Sequence, residues 1–274
     1  MKIKTQKVHI LGIGGIGMSG IAEILIRDGH QVSGSDMSES GNTRRLQEMG
    51  AKIFIGHEAS NIEDVDYCVR STAIPEDNIE VQTARQRSIP VLRRSEVVAD
   101  LMKLNKGIAV AGTHGKTTTT SLLSTILIEC KMDPTCLIGG IVHRLKSNAT
   151  RGKGDFFVIE ADESDGTFLK FNPVYSIVNN IDNDHLDYYE TEEKVDEAFL
   201  KFMNNVPFFG RVILNLGDTR VLKVSKCLRR VYTSYGVESD IEEGLSVDFY
   251  AHSIKSDGLQ TEFKIKHPSG ETVV

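Results

Sequence analysis

The sequence has few cysteines, no excess of basic residues and no long uninterrupted apolar run. Its 274 residues include four cysteines without a C-x-x-C pair. This scarcity predicts reduced, mostly buried thiols, with a chance redox pair of Cys130 and Cys136 as the alternative. The formal net charge is -6 at pH 7. Sequence-independent nucleic-acid binding needs a basic face, so this charge argues against it, whereas a local phosphate site needs only backbone N–H groups and one or two cations.

The N-terminal apolar stretch, Val8–Ile26, is interrupted by five glycines, Ser19 and Glu23. Arg27 and Asp28 follow it without a small-residue cleavage site. The stretch therefore predicts neither a membrane span nor a secretory signal. No Gly/Ser-rich or Pro-rich linker, internal repeat or low-complexity tract interrupts the chain. We expect a cytoplasmic protein without membrane insertion.

Short apolar runs alternate with helical patterns in the first hundred residues. The run Val8–Leu11 is followed by a helical pattern at Gly15–Arg27 and a second run at Gln31–Ser35. Further strands are predicted at Lys52–Ile55, Asp66–Ser71 and Pro90–Arg93, and helices at Glu80–Arg87 and Ser95–Leu104. This βαβ rhythm predicts an α/β fold with a Rossmann-like parallel-sheet domain over residues 1–104.

A second α/β series follows over residues 105–274. Strands are predicted at Gly107–Ala111, Phe156–Glu160, Ser176–Ile181 and Arg211–Asn215, and helices at Lys116–Cys130 and Thr191–Val206. A hairpin of Tyr250–Ser253 and Leu259–Lys266, turning at Ser256–Gly258, comes last. Because the chain stops directly after this hairpin, we expect the second domain to be incomplete.

Residues Gly12–Gly17 fit the pattern G-x-G-x-x-G between a predicted strand and a predicted helix. Glycines allow the backbone to turn tightly and approach a pyrophosphate, and the helix N-terminus offers free N–H groups to the anion. Asp36 ends the next strand, where a carboxylate can reach a ribose hydroxyl. The pattern predicts a nucleotide-diphosphate site. NAD(P) binding and a glycine-rich turn that binds nothing are the alternatives.

A second glycine loop, Ala111–Thr118, lies between another strand and helix. It is shorter than the usual G-x-x-x-x-G-K-[ST] pattern, which would place a glycine where Val110 stands. Lys116 can still neutralise phosphate oxygens, and the Thr117 hydroxyl can bind Mg²⁺. The loop predicts a P-loop for ATP or GTP, with a chance turn as the alternative. The predicted binding residues are Gly112, Thr113, His114, Gly115, Lys116, Thr117 and Thr118.

Two acidic segments follow predicted strands. Phe157–Asp165 contains four acids, and Asn179–Asp187 contains three together with His185. Acids at the carboxyl ends of strands, beside a P-loop, predict ligands for Mg²⁺. Solvated acidic loops are the alternative for each segment alone, and a surface or satisfied core histidine is the alternative for His185.

Four segments together resemble the Mur ligases: Gly12–Ser19, Ala111–Thr120 (AGTHGKTTTT), Glu160–Leu169 (EADESDGTFL) and Asn180–Tyr188 (NIDNDHLDY). The resemblance implies that the N-terminal domain binds the UDP of a sugar nucleotide rather than NAD(P). The implied UDP-sugar residues are Gly12, Gly14, Gly15, Gly17, Met18, Ser19, Asp36, His57 and Ser71. It also implies a catalytic set of Lys116 at the ATP phosphates, Glu160 with Thr117 at one Mg²⁺, and His185 at a second.

The activity implied by the resemblance is ATP-dependent ligation of L-alanine to UDP-N-acetylmuramate, through an acyl-phosphate, in peptidoglycan precursor synthesis. Its implied partners are these two substrates, with a homodimer left open. Mur ligases are longer and carry a third domain, so we expect a fragment with little ligase activity alone. The alternatives are a non-catalytic module that binds UDP-sugar and ATP, the related murein-recycling peptide ligase, and an NAD(P)-dependent oxidoreductase that would leave the P-loop unexplained.

Overall fold

The computed structural model describes residues 4–142 and 147–274. The chain forms two compact units, one of Met1–Asn105 and Thr120–Ile159, the other of Lys106–Thr119 and Glu160–Val274. Both contain parallel strands and helices, which confirms the predicted α/β fold class. The domain boundary at residues 104 and 105 stays a prediction. No helix within the described residues is long and apolar enough to cross a bilayer.

Strands and helices alternate through the first hundred residues, as the sequence predicts. They are β1 (Lys7–Leu11), α1 (Ile16–Arg27), β2 (Gln31–Asp36), α2 (Gly41–Glu48), β3 (Lys52–Ile55), β4 (Tyr67–Arg70), α3 (Ile79–Gln86), β5 (Val91–Arg93) and α4 (Arg94–Lys103). A short 3₁₀ helix lies at Ala59–Ile62.

The five strands form a parallel sheet in the order β3-β2-β1-β4-β5. Strand β1 lies at its centre, and its apolar residues are buried because parallel strands are covered on both faces. Leu11 packs in a cluster with Ile62, Cys68, Val81 and Ala84. The sheet order brings the carboxyl ends of β1, β2 and β4 to one edge, where the first glycine loop begins.

The rest of the chain continues the α/β series. Its elements are β6 (Lys106–Ala111), α5 (Lys116–Glu129), β7 (Thr135–Val142), β8 (Ser147–Thr150), β9 (Phe156–Glu160), β10 (Tyr175–Val178), α6 (Leu186–Tyr189), α7 (Glu192–Asn204), β11 (Arg211–Asn215), α8 (Thr219–Ser225), β12 (Tyr232–Val237), β13 (Phe249–Asp257), β14 (Gln260–His267) and β15 (Gly270–Val273). Two 3₁₀ helices lie at Thr167–Lys170 and Glu238–Asp240.

In the second unit, neighbouring strands follow the order β6-β10-β11-β12-β13-β14-β15. Pairing is parallel from β6 to β13 and antiparallel through β14 and β15. In the first unit, β7 pairs antiparallel with β8 and parallel with β9. The parallel order in the second unit brings the carboxyl ends of β6 and β10 together beside the P-loop.

Three phenylalanines anchor the segment that follows β9. Phe168 lies 5.5 Å from Phe199 and 5.0 Å from Phe202, measured between ring centroids. All three are fully buried, with 0% exposure. Asn205 Nδ2 also donates to the Leu169 carbonyl oxygen at 2.9 Å. The acidic segment that starts at Glu160 is therefore held against α7 by packing and by a hydrogen bond.

Several element boundaries differ from the predictions, most of them by one or two residues, and two of the differences have a clear physical reason. Strand β10 ends at Val178 rather than residue 181, because the Asn180 carbonyl oxygen accepts from Thr113 N at 3.2 Å and serves the P-loop. The final hairpin turns at Gly258 and Leu259, since Asp257 pairs with Gln260. Gly258 adopts a φ of 60°, which glycine reaches without steric strain.

The expectation of mostly buried thiols is wrong for half of them. All four cysteines are free, but Cys130 and Cys227 are exposed while Cys68 and Cys136 are buried. The exposed pair follows the last residues of α5 and α8, where a side chain can face solvent. The buried pair lies on strands inside the core.

Candidate functional site

The first glycine loop is held against the end of β2. Gly12 N and Ile13 N both donate to the Ser35 carbonyl oxygen, at 2.8 and 3.1 Å. Gly14 N donates to Asp36 Oδ2 at 2.8 Å. The predicted acidic residue thus lies against the loop, at the N-terminal end of α1, where backbone N–H groups attract anions.

Close packing explains two of the glycines. A Cβ at Gly14 would lie 2.9 Å from Asp36 Oδ2, and a Cβ at Gly17 would lie 2.7 Å from Arg94 Nε. A Cβ at either position would have to displace the side chain that it meets, the carboxylate of Asp36 or the flexible end of Arg94. The guanidinium of Arg94, at the start of α4, therefore lies beside the glycine loop, although no motif singles it out.

The structure brings two further predicted residues to this loop. A Cβ at Gly12 would meet Ser71 Cβ at 3.3 Å, so Ser71 lies beside the loop. His57 Nδ1 lies 3.0 Å from Ser35 Oγ, and the preceding Gly56 N donates to the Asp36 carbonyl oxygen at 2.8 Å. Asp36, His57 and Ser71 therefore surround one loop.

Met18 and Ser19 do not reach the surface of this loop. Their exposures are 2% and 0%, and both lie on the buried face of α1. Ser19 Oγ donates to the Ile16 carbonyl oxygen at 3.0 Å. In the structure, Met18 and Ser19 therefore pack on the buried face of α1.

The P-loop lysine is already oriented by its own loop. Gly112 and Gly115 adopt φ angles of 136° and 77°, which let the backbone curl between β6 and α5. Lys116 Nζ donates to the carbonyl oxygens of Gly112 and Thr113, at 2.9 and 3.2 Å. It also donates to Glu163 Oε1 at 2.9 Å. The ammonium group therefore lies at the concave side of the loop, where phosphate oxygens would bind.

Glu163 is a buried carboxylate in this site. Its side chain is 2% exposed, and within the described residues its Oε2 atom has no hydrogen-bond partner. Its backbone carbonyl oxygen accepts from the Tyr189 hydroxyl at 2.6 Å, and burial raises the pKa of that phenol. Its acidic neighbours Asp162 and Asp165 are exposed. Glu163 is thus fixed in place to face Lys116.

A hydroxyl and a carboxylate meet at the start of α5. Thr117 Oγ1 donates to Glu160 Oε1 at 2.8 Å. His185 Nε2 lies 3.8 Å from Glu163 Oε1. The backbone of His185 has a left-handed φ of 58°. Across residues 4–142 and 147–274, no cluster of three or more His, Cys, Asp or Glu forms a metal cage. Mg²⁺ at a nucleotide is commonly bound by one or two carboxylates plus phosphate oxygens, so Thr117 and Glu160 fit such an ion.

The second acidic segment clamps the P-loop. Asn180 Oδ1 accepts from His114 N at 2.7 Å, and Asn180 Nδ2 donates to the His114 carbonyl oxygen at 3.1 Å. Asp182 N donates to Thr113 Oγ1 at 2.8 Å, and Asp182 Oδ2 lies 3.3 Å from His114 Nε2. Hydrogen bonds from the Asn183 backbone and the His114 ring hold the pKa of Asp182 below its usual range. These contacts of Asn180 and Asp182 therefore hold the P-loop backbone in its shape. Thr118, the last of the predicted P-loop residues, is exposed on α5.

Two family models match the chain. The one described as Mur ligase family, catalytic domain, matches residues 7–106, and the Mur ligase middle domain matches residues 110–273. The chain belongs to the Mur ligase family. The resemblance predicted from the four sequence segments is confirmed.

Similar Mur ligases include curated proteins and solved structures. The UDP-N-acetylmuramate--L-alanine ligase of Solidesulfovibrio magneticus is 47% identical over 100% of this chain, which covers 61% of that protein. The same-named ligase of Aquifex aeolicus is 49% identical over 87% of this chain, covering 53% of that protein. The crystal structure of UDP-N-acetylmuramate-alanine ligase from Thermotoga maritima matches 98% of this chain and 60% of its own, with a TM-score of 0.81 and 29% identity.

A murein peptide ligase from Psychrobacter arcticus matches with a TM-score of 0.85 and 24% identity over 98% of this chain and 60% of its own. At that identity the likeness concerns the fold alone. The Mur ligase chain described here spans 53% to 61% of the two curated relatives.

Sequence reasoning did not single out three residues that contact the glycine loops of this Mur ligase: Glu163, Asn180 and Arg94. The first was named only as one of four acids in its segment, and the second only as part of a motif. Their partners Lys116 and His114 lie 47 and 66 positions away in sequence. No local spacing marks such contacts, so only the fold reveals them.

Proposed function

We propose that this chain supplies the sugar-nucleotide and ATP sites of an ATP-dependent ligase that joins L-alanine to UDP-N-acetylmuramate in peptidoglycan precursor synthesis. The observation that carries the proposal is the P-loop arrangement, in which Lys116 faces Glu163 and Thr117 donates to Glu160 at 2.8 Å. The relatives named for this reaction, at 47% and 49% identity, support it. We also propose that the reaction takes place in the cytoplasm.

The sugar nucleotide would bind at the first glycine loop, in a domain that we place at residues 1–104. The N–H groups at the start of α1 would bind the diphosphate, and Asp36 would accept from a ribose hydroxyl. His57 and Ser71, which lie beside this loop, would contact the uridine. The matched family segments, 7–106 and 110–273, support a boundary with the ATP domain at residues 104 and 105.

ATP would bind at the second loop. The carboxylate of UDP-N-acetylmuramate is a poor acylating agent, so one of its oxygens would first attack the γ-phosphorus of ATP. This forms an acyl-phosphate while the bond from that phosphorus to the bridging oxygen breaks and ADP leaves. Lys116 would neutralise the charge that develops on the transferred phosphoryl group. Thr117 and Glu160 would hold one Mg²⁺ and His185 a second, and these ions would offset negative charge on the phosphate oxygens.

The amino group of L-alanine would then attack the acyl carbon, and inorganic phosphate would leave. This chemistry needs positioning and charge stabilisation rather than a protein nucleophile. The P-loop hydrogen bonds to Asn180 and Asp182 would keep the phosphate-binding backbone in place while the charge moves.

A pair of glycine substitutions tests the first site. Gly14→Ala puts a Cβ 2.9 Å from Asp36 Oδ2, whereas a Cβ at Gly41 meets no atom within 4 Å. In calorimetric titrations we expect Gly14→Ala to weaken UDP-N-acetylmuramate binding by about 100-fold or more. The Cβ would displace the Asp36 carboxylate proposed to bind the ribose and would crowd the backbone that the diphosphate approaches. Gly41→Ala should bind as the wild type does, and Mg²⁺-ATP should bind both variants equally. Equal sugar-nucleotide affinity in the two variants would contradict the assignment.

Phosphate release separates the ligase from a module that only binds. UDP-N-acetylmuramate, Mg²⁺-ATP and L-alanine are supplied together, and each is left out in turn. Phosphate release that requires all three supports the ligase reaction. Binding of both nucleotides without release is expected of a fragment with little activity alone as well as of the non-catalytic module, so only robust release separates the two, and it would contradict the expected low activity.

A further inference from the structure

A buried carboxylate lies beneath the first glycine loop. Glu80, on α3, is 0% exposed. Its Oε2 atom accepts from Ser35 Oγ at 2.6 Å and lies 2.9 Å from His57 Nδ1. Its Oε1 atom accepts from Asn61 Nδ2 at 2.7 Å and from Glu58 N at 3.3 Å. Removing a charged carboxylate from water costs free energy, which hydrogen-bond donors only partly offset, so the position of Glu80 calls for an explanation.

These contacts converge on the residues predicted to bind the nucleotide. The Ser35 carbonyl oxygen holds the first two N–H groups of the glycine loop, and Asp36 is the next residue. Asn61 Nδ2 also donates to the carbonyl oxygen of Gly56, whose own N–H is bound to the Asp36 carbonyl. Glu80 thus connects the end of β2 with the turn that carries His57.

Glu80 also determines which nitrogen of His57 carries a proton. Burial raises the pKa of Glu80, but the nearby His9 ring and the hydrogen bonds from Ser35, Asn61 and His57 outweigh burial and lower the pKa to about 2. An ionised carboxylate only accepts hydrogen bonds, so the Nδ1 atom of His57 must be the donor. In a neutral ring, Nε2 is then left as an acceptor.

We propose that Glu80 is a positioning residue of the sugar-nucleotide site, which holds His57 as the Nδ1-protonated tautomer so that Nε2 accepts a hydrogen bond from a hydroxyl or N–H group of the uridine. This inference rests on the proposed function of the first glycine loop. Glu80 itself touches no ligand in this role. It acts through His57 and through Ser35, the residue before Asp36.

The other ionisable groups around Glu80 are consistent with this role. His9 Nε2 lies 3.6 Å from Glu80 Oε2, too far for a good hydrogen bond, while His9 Nδ1 lies 2.9 Å from Ser33 Oγ. Burial and then the Glu80 charge raise the pKa of Cys68 to about 12, so this thiol stays neutral. His57 is therefore the ionisable side chain that joins Glu80 to the predicted ligand site.

The test combines affinity with the tautomer of His57. UDP-N-acetylmuramate is titrated into the wild type, Glu80→Gln, His57→Gln and the double variant. Glu80→Gln is expected to weaken binding about tenfold, as for the loss of one charge-assisted hydrogen bond. The double variant should lose less affinity than the sum of the two single losses, because part of the effect of Glu80 acts through His57. Glu58→Gln, an exposed acid in the same turn, is the matched control and should bind as the wild type does.

Nitrogen-15 NMR of the His57 ring supplies a readout that a purely structural role would not move. The wild type should show the Nδ1-protonated tautomer, and Glu80→Gln should shift the ring toward the other tautomer. A wild-type ring protonated at Nε2 overturns the inference even if Glu80→Gln fails to fold. Unchanged affinity in folded Glu80→Gln also overturns it while leaving the proposed function intact. A wild type that binds no sugar nucleotide overturns the proposed function first, and this role with it.

Discussion

Replacing Lys116 with methionine removes the cation that faces a buried carboxylate. The side chains of Lys116 and Glu163 are 14% and 2% exposed, with Nζ and Oε1 2.9 Å apart. Removing one partner of a buried ion pair costs about 3–5 kcal/mol, because the other charge is left uncompensated. Lys116 is partly reached by water, so we expect a loss near the lower end, about 3 kcal/mol in the free energy of unfolding of the second unit.

Urea unfolding followed by far-ultraviolet circular dichroism measures this loss, since the chain has no tryptophan to report by fluorescence. Glu163→Gln and the double variant complete a cycle. The double variant should lose less stability than the sum of the single losses, by roughly 1–3 kcal/mol, because it leaves no unpaired charge.

A matched control is Lys223→Met. Lys223 Nζ lies 3.0 Å from Asp196 Oδ2, but its side chain is 71% exposed. An exposed pair contributes at most about 1 kcal/mol. If Lys116→Met unfolds at the same urea concentration as Lys223→Met, the buried pair does not hold the P-loop as described, and the reasoning fails.

Three further predictions concern the metal site, acid stability and the thiols. Thr117→Val should weaken Mg²⁺-ATP binding about tenfold while leaving Mg²⁺-free ATP binding within about twofold, since it removes the hydroxyl that faces Glu160; calorimetry with and without Mg²⁺ measures both. The pKa of Glu80 lies at about 2 in the folded chain against an ordinary 4.5, so the carboxylate stabilises the fold above pH 4.5 and loses this effect as the pH falls toward 2. That loss, on the order of 3 kcal/mol, should appear in acid unfolding of the wild type and be absent in Glu80→Gln, and identical profiles would refute it. Burial raises the thiol pKa of Cys68 to about 12 and of Cys136 to about 11, so a thiol reagent should titrate two cysteines in the folded chain and all four after unfolding.

Much of the fold follows from the sequence because buried parallel strands are continuous apolar runs. Phe156–Glu160 and Arg211–Asn215 match β9 and β11 to the residue. Helix α2 could not be predicted in this way, since Leu46 is its only buried apolar side chain and no apolar stripe forms. No element is predicted between residues 216 and 249, where α8 and β12 lie.

The candidate site could be predicted where its residues are neighbours in sequence, and could not be predicted where its contacts join distant positions. Both glycine loops could be predicted because a tight turn and a helix start are neighbours in sequence, joined in the second loop by Lys116. Distant partners of those loops could not be predicted from the sequence: Ser35 and Glu80 are 45 positions apart, and Lys116 and Glu163 are 47. An acid at such a distance acquires its role only when strand order and helix packing bring it to the loop.

The most direct test of the account is sequential calorimetric titration of the wild-type chain with UDP-N-acetylmuramate and then Mg²⁺-ATP, with NADH as the control ligand. The account predicts one sugar nucleotide and one ATP bound per chain, and no heat of binding from NADH. A folded chain that binds NADH at the first loop, or that binds neither UDP-N-acetylmuramate nor ATP, would contradict it.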